Sequence, residues 1–312
     1  MQKQKLHIAL VAGGISGERE VSLSGAAGVE EALDPGKFIV SRYDPATDLA
    51  RLAEDAPGLD FAFILLHGLN GEDGTMQGFL DLLKVPYQGS GVLGSAIAMD
   101  KHLAKELYRL NGLPVADWQI IGTGDEVNIE ALISRFDLPV VIKPVREGSS
   151  LGLTLAETKE QLMDGINKAQ NHDSRIMIEK YIRGRELTVG VLGNSELQAL
   201  PVIEIVPGEE FSFFDYDAKY KAGASEEICP AGISDELTVL VKKYGVEAHK
   251  VLRLSGYSRT DLMLSEDGSL YLLETNTIPG MTPTSLMPQA AAEFGLDFPE
   301  LLERLIELGM EI

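Results

Sequence analysis

Two strongly apolar segments, Leu6–Ala12 and Phe61–Leu66, each run straight into a glycine-containing loop. A short continuous apolar run closed by turn residues reads as a strand covered on both faces, and such strands belong to parallel sheets. A helix from about Ser22 to Leu33 follows the first run, Phe38–Tyr43 is a further strand, and Thr75–Leu83 a short helix. Alternating strands and helices predict a parallel α/β unit over residues 1–95.

The remainder of the 312-residue chain has a different rhythm. Val92–Leu110 reads as one helix, Leu138–Lys143 as a strand stopped by Pro144, Thr158–Gln170 as a helix and Arg175–Tyr181 as a strand. Together they predict a compact α+β unit over 96–185. Residues 186–312 hold several strands, a long loop (Pro207–Gly232), a helix (Asp235–Leu254), a hairpin and two helical stretches. No apolar run approaches the ~20 residues of a membrane helix. The single cysteine, Cys229, excludes an intrachain disulfide and suits a reducing compartment. With 27 Lys+Arg against 48 Asp+Glu the net charge is -21, which argues against nucleic acid and acidic membrane surfaces.

The hairpin carries the sharpest chemical signal. Tyr257–Leu264 and Ser269–Asn276 are strand-like, and Asp267-Gly268 predicts a two-residue turn. In that register Asp261 faces Glu274 and Arg259 faces Asn276 on one side, while Leu262, Leu264, Tyr271 and Leu273 form the core face. Opposed carboxylates repel unless something compensates. A divalent cation with Asn276 as a further oxygen ligand does so, and oxygen donors point to Mg2+ or Mn2+. A solvated face neutralised by Arg259 is the plainer alternative.

Three loops add to this. Lys143 ends a strand and leads into Arg146–Gly152, a Gly/Ser loop whose amides and hydroxyls suit phosphate, or which is simply an exposed turn. Gly13-Gly14-Ile15-Ser16-Gly17-Glu18 resembles a dinucleotide fingerprint with Ala12 in place of its first glycine. Glu18 can meet a ligand's ammonium group or simply favour the helix dipole. His67 ends a parallel strand where open sheets place ligands, and Glu72 and Asp73 read as caps of the Thr75 helix.

Taken in order, these segments resemble the D-alanine–D-alanine ligases of the ATP-grasp superfamily. The likeness rests on ERE-VSL at 18–23, HGLNGEDGTMQG at 67–78, the Lys143–Gly152 loop, DYDAKY at 215–220 and RTDLMLSEDGSLYLLETNTIPG at 259–280. It implies an α/β chain with an ATP-grasp fold preceded by an N-terminal Rossmann-like domain. It further implies cytoplasmic, homodimeric ligation of two D-alanine molecules with ATP and two Mg2+ or Mn2+ ions, for peptidoglycan synthesis.

By position, the resemblance gives Lys101, Lys143 and Lys219 to the ATP phosphates. Glu179 and Glu186 would meet adenine and ribose, with Lys180, Tyr181 and Ile182 lining the pocket. Asp261, Glu274 and Asn276 would bind metal. Glu18, with His67 nearby, would hold the first D-alanine. Arg259 and the Gly280 amide would stabilise the acyl phosphate and oxyanion, and Ser285 and Leu286 would hold the second carboxylate. Tyr220 would join Ser149 and Glu18 to close the site. Thr260 and Thr275 depart from the aliphatic residues expected on the hairpin's core face. Two rivals stand beside this reading: a D-alanine–D-lactate or D-alanine–D-serine ligase, and a Rossmann oxidoreductase built on Gly13-Gly14.

Overall fold

The structure, a computed structural model, describes residues 5–148, 151–208 and 225–311. Strand β1 (Leu6–Val11) lies between β2 (Phe38–Tyr43) and β3 (Phe61–Ile64), and all are parallel. Ile8 to Val11 and Phe61 to Ile64 have no exposed surface, as continuous apolar runs require. Helix α1 (Arg19–Ala32) and a final helix (Phe298–Met310) pack against this sheet, with α2 (Leu49–Asp55) and α3 (Thr75–Leu83) beside it. The final helix thus returns from the chain's far end, placing Leu301, Leu302, Leu305 and Ile306 in one core with Ile8, Leu10, Phe61 and Phe63.

The expected helix at 92–110 is two helices, α4 (Val92–Met99) and α5 (Lys101–Leu110). Asp100 breaks it: its backbone is extended (φ -85°, ψ 96°) and its carboxylate accepts from Leu103 N. An N-cap needs that non-helical conformation, so the residue that ends one helix starts the next. The middle sheet has the order β4-β7-β5-β6, from β4 (Trp118–Gly122), β5 (Val140–Pro144), β6 (Thr154–Ala156) and β7 (Arg175–Lys180). Helices α6 (Ile129–Phe136) and α7 (Lys159–Gln170) cover one face.

The third sheet runs β10-β9-β8-β11-β12, antiparallel throughout: β8 (Gly184–Leu192), β9 (Gln198–Pro207), β10 (Ser225–Ile228), β11 (Tyr257–Ser265) and β12 (Leu270–Asn276). Helices α8 (Asp235–Val251), α9 (Leu286–Phe294) and the final α10 (Phe298–Met310) complete the described chain.

The hairpin of β11 and β12 differs from the expected one at its tip. Ser265 N donates to the Ser269 carbonyl, Gly268 N donates to the Ser265 carbonyl, and Glu266-Asp267-Gly268 forms the loop, with Gly268 at φ +84°. A two-residue turn is therefore incorrect. The pairing near the loop is shifted accordingly, Leu262 opposite Leu272 and Leu264 opposite Leu270, and an irregularity after Asp261 restores the expected register. Arg259 faces Asn276, Thr260 faces Thr275 and Asp261 faces Glu274. The core face is corrected too. Leu262, Leu264, Leu270 and Leu272 are buried together, whereas Leu273 turns to line a cavity.

Candidate active site

The loops after β1 and β3 leave the same end of the parallel sheet and converge on Glu18. Gly13 (φ +95°) and Gly14 (φ +75°) make a turn that side chains would strain. Their amides donate to Ser22 Oγ (2.8 Å) and Asp44 Oδ1 (2.9 Å). The Arg19 guanidinium pairs with Asp44 and holds its carboxyl down at about 2. These amides are spent within the protein, so the turn is not a pyrophosphate cradle.

Glu18 precedes α1 without capping it and is buried. Its carboxylate meets two glycines from elsewhere. A Cβ on Gly148 would lie 2.7 Å from Glu18 Oε2, and one on Gly68 3.3 Å away. Glycine at both positions lets the loops approach the carboxylate. His67 is buried nearby; burial lowers its pKa against the pull of Glu18, and it bonds the Ile278 backbone.

Glu72 does not cap α3. Asp73 bonds Thr75 N (2.9 Å), while Glu72 accepts from Gly68 N (2.7 Å) and from Ile278. Burial, reinforced by Glu18, raises its carboxyl to about 8. Glu72 thus joins the loops after β3 and β12.

On the other side, a cavity of about 290 Å³ opens between the second and third sheets. Lys101, Lys143, Glu179, Lys180, Tyr181, Ile182, Glu186, Asp261 and Glu274 all line it, beside apolar Val141, Leu155, Met263 and Leu273. A smaller cavity shares Lys101, Glu147, Gly148 and Glu274 with it and adds Glu72 and Asn276. The two spaces therefore adjoin, with these four residues as their common wall. That lysine, the first residue of α5, reaches Glu274 (3.4 Å) and the Glu147 carbonyl (2.5 Å).

The paired face of β11 and β12 forms the floor. Arg259 makes two bonds to Asp261 (2.9 and 2.8 Å), which also accepts from Thr188 Oγ1 (2.6 Å) and Asn276 Nδ2 (3.1 Å). Burial works against the Arg259 charge, but Asp261, Glu274 and Glu186 hold it above its ordinary value. Beneath, Tyr108 Oη bonds Thr275 Oγ1 (2.7 Å), which bonds Thr260 Oγ1 (2.9 Å). The departures at 260 and 275 are thus satisfied hydroxyls, not packing faults.

Deeper still, Glu179 lies between Lys143 (2.7 Å) and the wholly buried Lys105. Gly280 and Ser285 adjoin across the loop into α9, a Cβ on Gly280 lying 3.1 Å from Ser285 Oγ. Ser285 starts that helix and Leu286 is its first residue, where orphan amides favour an anion. Ser149, Lys219 and Tyr220 lie outside the described residues.

The sequence reading missed Glu72, Lys105, Tyr108 and Thr188. Only Lys105 left a usable trace, one helical turn beyond Lys101.

Residues 44–90 match the family model for the D-ala D-ala ligase N-terminus and 107–307 that for the C-terminus. A D-alanine--D-alanine ligase from Desulfotalea psychrophila is 64% identical over 315 residues, covering 100% of this chain and 98% of that protein. Among solved structures, a D-alanine--D-alanine ligase from Bacillus anthracis complexed with ATP is 32% identical, with a TM-score of 0.86 and 98% of each chain covered. The VanG D-Ala:D-Ser ligase from Enterococcus faecalis is also 32% identical, with a TM-score of 0.83, covering 98% of this chain and 100% of that one. With both family models matched and a relative 64% identical over its whole length, the chain belongs to the D-alanine–D-alanine ligase family.

Proposed function

We propose that this protein joins two D-alanine molecules into D-alanyl-D-alanine for peptidoglycan precursor synthesis, using ATP. ATP occupies the larger cavity, its phosphates toward Lys101 and Lys143 and its adenine and ribose toward Tyr181, Ile182 and Glu186. Glu18 receives the ammonium group of the first D-alanine, with His67 alongside. The carboxylate oxygen of this first D-alanine attacks the γ-phosphorus as the bond to the β-phosphate bridge breaks, giving D-alanyl phosphate and ADP. The second D-alanine, its carboxylate at Ser285 and Leu286, then attacks the acyl carbon with its amine. The amine loses a proton, and the acyl C–O bond breaks to release inorganic phosphate. Arg259 and the Gly280 amide stabilise the oxyanion; one such donor is typically worth ~100- to 1,000-fold in rate.

Asp261, Glu274 and Asn276 fit a divalent cation. The donors are all oxygen-bearing, Asp261 and Glu274 lie directly opposite, and both line the cavity. Two Mg2+ or Mn2+ ions held there would offset the charge on the phosphates. Ser149, Tyr220 and Lys219 complete the site in this reading. A cytoplasmic homodimer completes the protein.

The observation that supports this function best is the wall that the two cavities share at Lys101, Glu147, Gly148 and Glu274. That wall sets the nucleotide space beside Glu72 and, through Gly148, beside Glu18. The test is phosphate release from ATP, which should require D-alanine and fail with L-alanine. Release that ignores D-alanine would overturn the reading. Mixed products formed with D-serine or D-lactate would move the assignment to the rival acceptors.

A further inference from the structure

Lys105 is the one wholly buried lysine among the described residues, and it lies behind the nucleotide cavity. Its Nζ pairs with Glu179 Oε1 and donates to the Leu272 carbonyl (3.1 Å) of β12. The ammonium also lies 5.9 Å from the centre of the Trp118 ring. Glu179 pairs with Trp118 across β7 and β4, and its other oxygen meets Lys143 at 2.7 Å. Lys143 and Glu179 line the cavity.

We infer that Lys105 is a positioning residue of the nucleotide site: it takes up the charge of Glu179 and so leaves Lys143 available to the ATP phosphates. Two lysines share the Glu179 carboxylate, so it keeps one partner when the other turns away. Without Lys105 the remaining pair is neutral, and Lys143 could turn to phosphate only by leaving Glu179 buried and unpaired. Breaking a buried pair in that way is strongly unfavourable, because it leaves a buried charge uncompensated. Glu179 holds both oxygens between lysines, and its charge is favoured despite burial because Lys105 and Lys143 flank it. The bond to Leu272, two residues before Glu274, fixes the ammonium by backbone rather than by a movable side chain.

The inference rests on Lys143 as a phosphate ligand, and its test needs no turnover. MgATP affinity is measured by calorimetry without D-alanine, in the full chain. Lys105→Met should weaken it about tenfold or more, because a buried charge then lacks its partner. In a Glu179→Gln chain the same change should cost less than about twofold, since no charge remains to be neutralised. Equal losses in both backgrounds would mean that Lys105 only fills space, and would overturn the inference. In turnover assays of the Lys105→Met chain, the KM for ATP should rise while that for D-alanine stays within about twofold; a parallel rise would also overturn it. Should Lys105→Met fail to fold, Lys105→Arg decides. It keeps the charge but not the shape, so affinity within about threefold of the native chain supports neutralisation, and a loss of tenfold refutes it. Absence of D-alanine-dependent phosphate release in the native chain would instead refute the assigned function, leaving the MgATP result to stand separately.

Discussion

Thr260 and Thr275 show how a single side chain decides whether a polar residue can sit in a core. Both are buried, and Tyr108 from another element ends their hydroxyl chain. Asp261 is more constrained, since Arg259, Thr188 and Asn276 all bond it. Asp261→Asn removes the charge while keeping the shape. It should lower kcat by about 100-fold or more in the phosphate-release assay, as expected for the loss of a metal-binding carboxylate. Near-native turnover at ordinary Mg2+ would contradict the metal role. Glu72 offers a pH test. Burial and then Glu18 raise its carboxyl from 4.5 to about 8, so the fold binds a proton that the unfolded chain has released. A raised carboxyl favours the fold at low pH, and that contribution fades as pH climbs from about 4.5 to about 8. Glu72→Gln cannot ionise, so its Tm should fall less than the native protein's between about pH 5 and pH 8.5. Parallel Tm curves would count against the raised carboxyl.

At the scale of elements, the break at Asp100 places Lys101. Its carboxylate caps α5 through Leu103 N (3.0 Å) and pairs with Arg175 (3.0 Å) on β7. Asp100→Ala should cost about 1–2 kcal/mol in urea unfolding by loss of the cap. It should also raise the KM for ATP, because Lys101 loses its fixed start to the helix. An unchanged KM would separate the cap from the site. The hairpin teaches a related lesson. Alternation and the Asp-Gly pair revealed two strands and the side they share, but not the longer loop or the compensating irregularity near Leu273. Those depend on what β12 packs against. Leu270 and Leu272 gain a core only in the shifted register, while Asp261 and Glu274 keep their opposition.

For the molecule as a whole, a nucleotide bound in the proposed cavity between the second and third sheets would stabilise the fold. Saturating MgATP should raise Tm, by the equivalent of about 2.7 kcal/mol at a hundredfold excess over Kd. EDTA added with ATP should abolish most of that shift, and an EDTA-insensitive shift would argue against metal-assisted binding. The net charge of -21 is compatible with an anionic ligand because Lys101, Lys143 and Arg259 are gathered at one place. The parallel N-terminal sheet, the hairpin's acidic pair and the order of the ligase segments were legible along the chain. Each follows from local periodicity, turn chemistry or short spacing, which neighbouring residues carry. Packing alone turns Glu72 inward, brings α10 to the N-terminal core and sets Lys105 behind Glu179. Burial and charge pairing act between residues distant along the chain, and those distances shorten only when the sheets pack.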